Sequence, residues 1–182
     1  MDRDREPRIV PYGYEPPVAS EKGTLIYYDT FEDVTESELE IAAACAEAGA
    51  FAKLVLYPLH EQTAKRMMKE PVGPYYKRED KLHAWKRGQH RPSVAIEGWE
   101  GKRKKYTPAD SAFRHVTELY PAPHFVLLAP EMANLLASYD SFEPWIAKLR
   151  LVLLEEPHEL HPRLAQHRRR WSTVKELSSG RS

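Results

Sequence analysis

Short apolar runs separated by helix-length polar stretches constrain the fold of this chain more than any other feature. Residues 124–129, His-Phe-Val-Leu-Leu-Ala, are apolar without alternation, as in a strand buried on both faces of a sheet. Runs of the same kind fall at residues 24–28, 52–57 and 149–154, with a shorter one at 93–97. Helical patterns lie between them. Residues 36–49 carry Leu39, Ala42, Ala43 and Ala46 on one side, with Gly49 placed to end the helix. Residues 107–120 open with Thr107 as cap, Pro108 in the first turn and Asp110 as the first-turn acid. Residues 78–86, 131–139 and 142–148 are also helical, and 60–73 read as a loop or short irregular helix. Strand alternating with helix requires right-handed crossovers, and so a parallel sheet covered on both faces. The expectation is an α/β fold: a Rossmann-like parallel sheet of about five strands.

The two ends differ from this middle. Residues 1–22 contain Pro7, Pro11, Pro16 and Pro17, which deny a helix and starve a strand ladder of donors, so they read as an extended arm. Residues 23–157 form the expected α/β domain, and 158–182 a basic C-terminal helix and tail, helical from 162 to about 177. Arg163, Arg168, Arg169, Arg170 and Lys175 with Trp171 make that helix either a contact surface or a solvated basic face.

Lys+Arg and Asp+Glu both number 27 in the 182 residues, for a formal charge of +0. Bulk charge therefore gives no reason to expect nucleic acid or an anionic membrane as partner. One cysteine excludes a disulfide framework and any multi-cysteine metal site. Cys45 itself falls on the apolar side of its helix and reads as a small core residue. No apolar run approaches the roughly 20 residues that cross a bilayer. Asp2, Asp4 and Glu6 fit neither a signal peptide nor a transit peptide. The expectation is a soluble intracellular protein, with cytoplasm and mitochondrial matrix equally compatible. Among eight histidines, His158 and His161 share a spacing but no third ligand, and His60-Glu61 lacks a second histidine, so no metal site is expected.

Specific residues within this order of elements resemble a family. From about Leu25 to Glu156 the chain is similar to the nicotinate/nicotinamide mononucleotide adenylyltransferases of the nucleotidyltransferase superfamily. In that family a first strand leads into a Gly-Thr/Ser-Phe-Asp/Asn-Pro segment and then a His-x-Gly-His motif at a helix start. The corresponding stretch here is Asp29-Thr-Phe-Glu-Asp-Val-Thr-Glu-Ser-Glu38, in which Thr30 and Phe31 match. Lys65 falls where relatives have a phosphate-contacting lysine, and Arg78 where an arginine begins a helix. Glu97, Tyr106-Thr107, Leu119-Tyr-Pro121, residues 125–132 with Glu131, and Trp145 resemble later landmarks, and Ser172-Thr173 a late Ser-Thr pair.

The resemblance implies adenylyl transfer, in which the protein orients ATP and a mononucleotide and neutralises developing charge. Its tools would be two histidines, helix N-terminal N–H groups, glycines for backbone approach, and cations on the phosphates. Here the two histidine positions hold Thr35 and Glu38, the first glycine is Asp29 and the inner glycine is Ser37. A triphosphate would lie beside Asp29, Glu32, Asp33, Glu36 and Glu38 with no cation in the segment. Two unit charges about 4 Å apart repel by roughly 4 kcal/mol at an effective dielectric near 20, against about 1 kcal/mol or less from a helix terminus. Thr35-Glu-Ser-Glu38 also spells a capping box, which satisfies the helix's free donors with its own side chains. The basic residue expected after the fifth strand is replaced by Glu155-Glu156. The expected function is therefore a catalytically inactive relative, a structural or accessory subunit of a larger assembly, without cofactor, contacting other subunits through the arm and the basic helix. The alternative is an active or nucleotide-binding adenylyltransferase with ATP and Mg²⁺ held by Thr30, Lys65, Arg78, Tyr106, Thr107 and Glu131, with Lys104 or Lys105 assisting.

Overall fold

Each of the longest apolar runs is a strand whose side chains are covered on both sides. The computed structural model describes residues 22–90 and 93–179. It places β1 (Thr24–Asp29), β2 (Lys53–Pro58), β3 (Val94–Ile96), β4 (His124–Leu128), β5 (Arg150–Leu153) and β6 (Trp171–Thr173) in one sheet. The order is β3-β2-β1-β4-β5-β6 with every pairing parallel. This is the doubly wound order, in which the chain reverses direction across the sheet between β1 and β4.

The helices are α1 (Glu36–Ala48), α2 (Glu61–Met68), α3 (Tyr75–Lys86), α4 (Trp99–Arg103), α5 (Ala109–Leu119), α6 (Pro130–Ala137), α7 (Phe142–Ile146), α8 (Pro162–Gln166) and α9 (Val174–Ser179). Alternate strand residues serve opposite faces. Leu25, Tyr27, Leu54, Leu56 and Leu127 pack with Ala42 and Ala46 of α1 and with Leu82 and Trp85 of α3. Ile26, Tyr28, Val126 and Leu128 pack on the other face with Phe113 and Val116 of α5 and Met132 of α6. The alanines of α1 let that helix lie close on the sheet, and each fully buried leucine contributes about 2 kcal/mol.

Three expectations are corrected. The sheet has six strands rather than about five. The continuous basic helix over 162–177 is instead α8, a 3-10 turn at Arg168–Arg170, β6 and α9. Leu164 and Trp171 are buried there, and the Trp171 indole N–H donates to Leu164 O at 2.8 Å. Its arginines are used internally. Arg163 donates to Ala137 O and Tyr139 O at the end of α6. Arg170 donates to Ile146 O and Leu149 O at the end of α7, where free carbonyls and the negative end of the helix dipole favour a cation. Arg168 lies 3.9 Å over the Trp171 ring and pairs with Glu176. Arg169 and Lys175 remain exposed.

Thirdly, Thr107 does not cap α5. The N-cap is Pro108 without a side-chain bond, while the Thr107 hydroxyl accepts from Arg103 Nε at 3.0 Å. Lys102 and Arg103 lie in α4, which Lys104 ends. The expected arm, apart from Lys22, lies outside the described residues. Among the described residues no helix is long and apolar enough to cross a membrane.

Candidate functional site

Open α/β sheets bind ligands beyond the carboxyl ends of their strands where the strand order reverses. Here that place is reached by the turn leaving β1. Asp29 Oδ1 accepts the Phe31 N–H at 2.9 Å and the Thr30 hydroxyl at 3.4 Å, while Thr30 Oγ1 accepts the Glu32 N–H at 3.1 Å. Phe31 sits at φ 62°, a left-handed backbone rare for a bulky side chain. Its buried ring, 4.8 Å edge-on to Tyr27, holds it in that conformation. Four residues beyond Phe31 the capping box forms as the spacing predicts. Thr35 Oγ1 accepts the Glu38 N–H at 3.2 Å, and Glu38 Oε1 accepts the Thr35 N–H at 3.0 Å. The N–H groups of Phe31, Glu32, Thr35 and Glu38 are thus all taken by the segment's own side chains.

Beyond this turn a cleft of about 530 Å³ opens over the ends of β1, β4 and β5. Five carboxylates line it: Asp29, Asp33, Glu38, Glu70 and Glu131. Its apolar wall is Met67, Met68, Met132, Leu135 and Leu154, and among the described residues no lysine, arginine or histidine takes part in the lining. Burial raises the Asp29 pKa and the neighbouring Glu38 adds to the rise, opposed by the Phe31 N–H and the Thr30 hydroxyl. The Tyr27 side chain is fully buried in the same wall, and its hydroxyl takes no hydrogen-bond partner among the described residues. Burial raises its pKa strongly, and the charges of Asp29 and Glu38 raise it further, so the phenol stays protonated.

Of the residues singled out from sequence, Asp29, Thr30, Asp33, Glu38 and Glu131 are brought to this cleft. The others are placed elsewhere. Thr35 and Ser37 are exposed at the start of α1. Lys65, with Arg66, Lys69 and Tyr106, lines a separate shallow depression, and the Arg66 guanidinium lies 4.5 Å over the Tyr106 ring. Thr107 is buried, its N–H donating to Thr63 Oγ1. Lys104, left-handed, ends α4 and is exposed, as is Lys105.

Arg78 is a strut. It donates to Thr30 O at 2.7 Å, Leu59 O at 2.6 Å and Gly73 O at 2.9 Å, tying the ends of β1 and β2 to the loop before α3. Burial lowers its pKa while Glu61 and Glu32 oppose the fall. His60 and His161 cap α2 and α8, each accepting an N–H at Nδ1. Cys45 is buried, its thiol pushed up to about 12.

Sequence reasoning passed over Tyr27 and the methionines, whose types read as core. It also passed over Glu100, which is fully buried. The Glu100 carboxylate accepts Tyr57 Oη at 2.6 Å, the His60 N–H at 2.8 Å and Thr63 Oγ1 at 2.8 Å. Burial raises its pKa and these three donors hold it back. With its oxygens so occupied, Glu100 joins α4 to β2 and α2 and faces no ligand. Among the described residues no three His, Cys, Asp or Glu side chains are grouped closely enough to hold a metal ion. A comparison with protein-family models finds no match for the chain, and a comparison with curated proteins finds none either.

Proposed function

We propose that this chain is a nucleotidyltransferase-like protein that has lost adenylyl-transfer chemistry and serves as an accessory subunit, its switch-point cleft retained for binding. The observation that carries the reading is a cleft whose charged lining, among the described residues, is carboxylate alone, beside a turn in which the N–H groups of Phe31, Glu32, Thr35 and Glu38 are already bonded. Phosphoryl chemistry needs cations or free amides aimed at the phosphates. The cations that sequence offered lend it no support: Arg78 is bonded to three carbonyls, Lys65 lines another surface, and Lys104 and Lys105 are exposed at the end of α4 and just beyond it. ATP with Mg²⁺ finds little support in this lining: one or two carboxylates could share the ion, but the phosphates would meet no lysine, arginine or histidine among the described residues that line the cleft.

The accessory role rests on the sequence of residues 1–22, where Ile9, Val10, Tyr12 and Tyr14 are apolar and aromatic groups suited to a protein surface. The basic C-terminal stretch contributes less than its composition promised, since Arg163, Arg168 and Arg170 are engaged within the fold.

Calorimetric titration with ATP, with and without Mg²⁺ and nicotinamide mononucleotide, tests the reading. The expected result is no binding heat and no pyrophosphate. Micromolar binding with pyrophosphate release overturns it.

A further inference from the structure

We infer that the switch-point cleft takes an aliphatic polyamine, an alkyl chain bearing protonated amines. The inference rests on the reading that this cleft does not hold a polyanion. Two independent observations lead to it: among the described residues the charged side chains of the lining are carboxylates alone, and a fully buried tyrosine hydroxyl in the same wall has no partner. A buried hydroxyl that makes no hydrogen bond is costly, and native structures keep few of them. The Tyr27 oxygen is protonated beside Asp29 and Glu38, so an ammonium N–H is a donor it can accept while the carboxylates neutralise the charge.

The distribution of the carboxylates decides the shape of the ligand. Asp29, Asp33 and Glu38 belong to the β1–α1 turn and the start of α1, Glu70 follows α2, and Glu131 stands in the first turn of α6. Among the described residues no three of these carboxylates come close enough to hold one compact ion, whereas a chain with an amine at each end can pair with carboxylates that stand apart. Between them Met67, Met68 and Met132 provide a flexible, polarizable wall that suits an unbranched alkyl stem. The volume, about 530 Å³, falls within the ordinary range for small-molecule clefts. The positive end of α6 opposes a cation only weakly, since Glu131 sits in its first turn and Pro130 contributes no N–H.

The test is titration calorimetry and thermal shift on the full chain with putrescine and spermidine, alongside butanediol, Mg²⁺ and ATP as separate probes. Three variants accompany it. Asp29→Asn keeps the oxygen that accepts the Phe31 N–H, and Glu38→Gln keeps the capping-box acceptor, so both remove charge without removing the local bonds. Tyr27→Phe removes only the hydroxyl. Spermidine is expected to bind and to raise the melting temperature, with butanediol inert. The Asp29→Asn/Glu38→Gln pair is expected to weaken spermidine roughly tenfold or more, and Tyr27→Phe by several-fold while leaving the ligand-free melting temperature unchanged or higher. Binding of neither amine, or amine binding indifferent to all three substitutions, overturns the inference and leaves the function reading standing. A Mg²⁺ shift abolished by the charge variants overturns it in favour of a metal site. Micromolar ATP binding overturns the function reading itself.

Discussion

At the scale of single residues, two sets of carboxylates set opposite pH dependences. Asp29 and Glu100 have folded pKa values above their ordinary 3.8 and 4.5, chiefly through burial. Their contribution to stability is fully present below those values and is lost as pH rises through the higher folded ones. Asp110 and Glu176 are held below the ordinary range. For Asp110 the first cause is the Trp145 indole N–H, for Glu176 the Thr173 N–H. Their contribution is present above the ordinary values and is lost as pH falls through the folded ones. Taken alone, these four groups favour the folded state most near the ordinary carboxylate range and less on either side of it. Asp29→Asn is expected to raise the urea midpoint at neutral pH and to flatten the decline above pH ~4. Urea unfolding at a series of pH values checks this, and an unchanged pH profile refutes it. Asp29 was legible as a site residue because the resemblance put it in the phosphate turn. Tyr27 was not, because a tyrosine within an apolar strand gives no sign of which atom lacks a partner. Glu100, and the bracing role of Arg78 on three carbonyls, escaped for a related reason. One acid or base in a chain that is 30% charged becomes informative only when burial surrounds it with partners.

At the scale of elements, legibility followed burial. β1, β2, β4 and β5 were readable from unbroken apolar runs because both of their faces are covered. β6 was not, being three residues with one large apolar side chain, next to arginines that read as an exposed helix face. α4 is five residues long, too short for a period to register. Those arginines serve as caps, which leads to a prediction. Arg170→Met keeps the apolar stem but leaves carbonyls at the end of α7 without their donor, at a cost of about 1–2 kcal/mol. The melting temperature is expected to fall by roughly 3–6 °C, with Arg169→Met, exposed, as the near-neutral control. Equal effects from the two substitutions would show that the cap contributes nothing specific.

At the scale of the whole molecule, β6 pairs with β5 and places Trp171 and Leu164 in the core on the α5–α6 face. A chain ending at residue 157 is expected to lose its cooperative thermal transition and near-ultraviolet dichroism, because β5 loses one of its two partners and that core loses its cover. A truncated chain melting like the intact one would make the C-terminal stretch a separable appendage. The pairing order has a second consequence. The two strands that border the sheet, β3 and β6, span three residues each. An extended chain approaching from outside finds only a few unpaired backbone groups to template against at either border. With a formal charge of +0, the molecule has little electrostatic repulsion to keep its copies apart. The brevity of its borders supplies a geometric defence against fibril growth in its place.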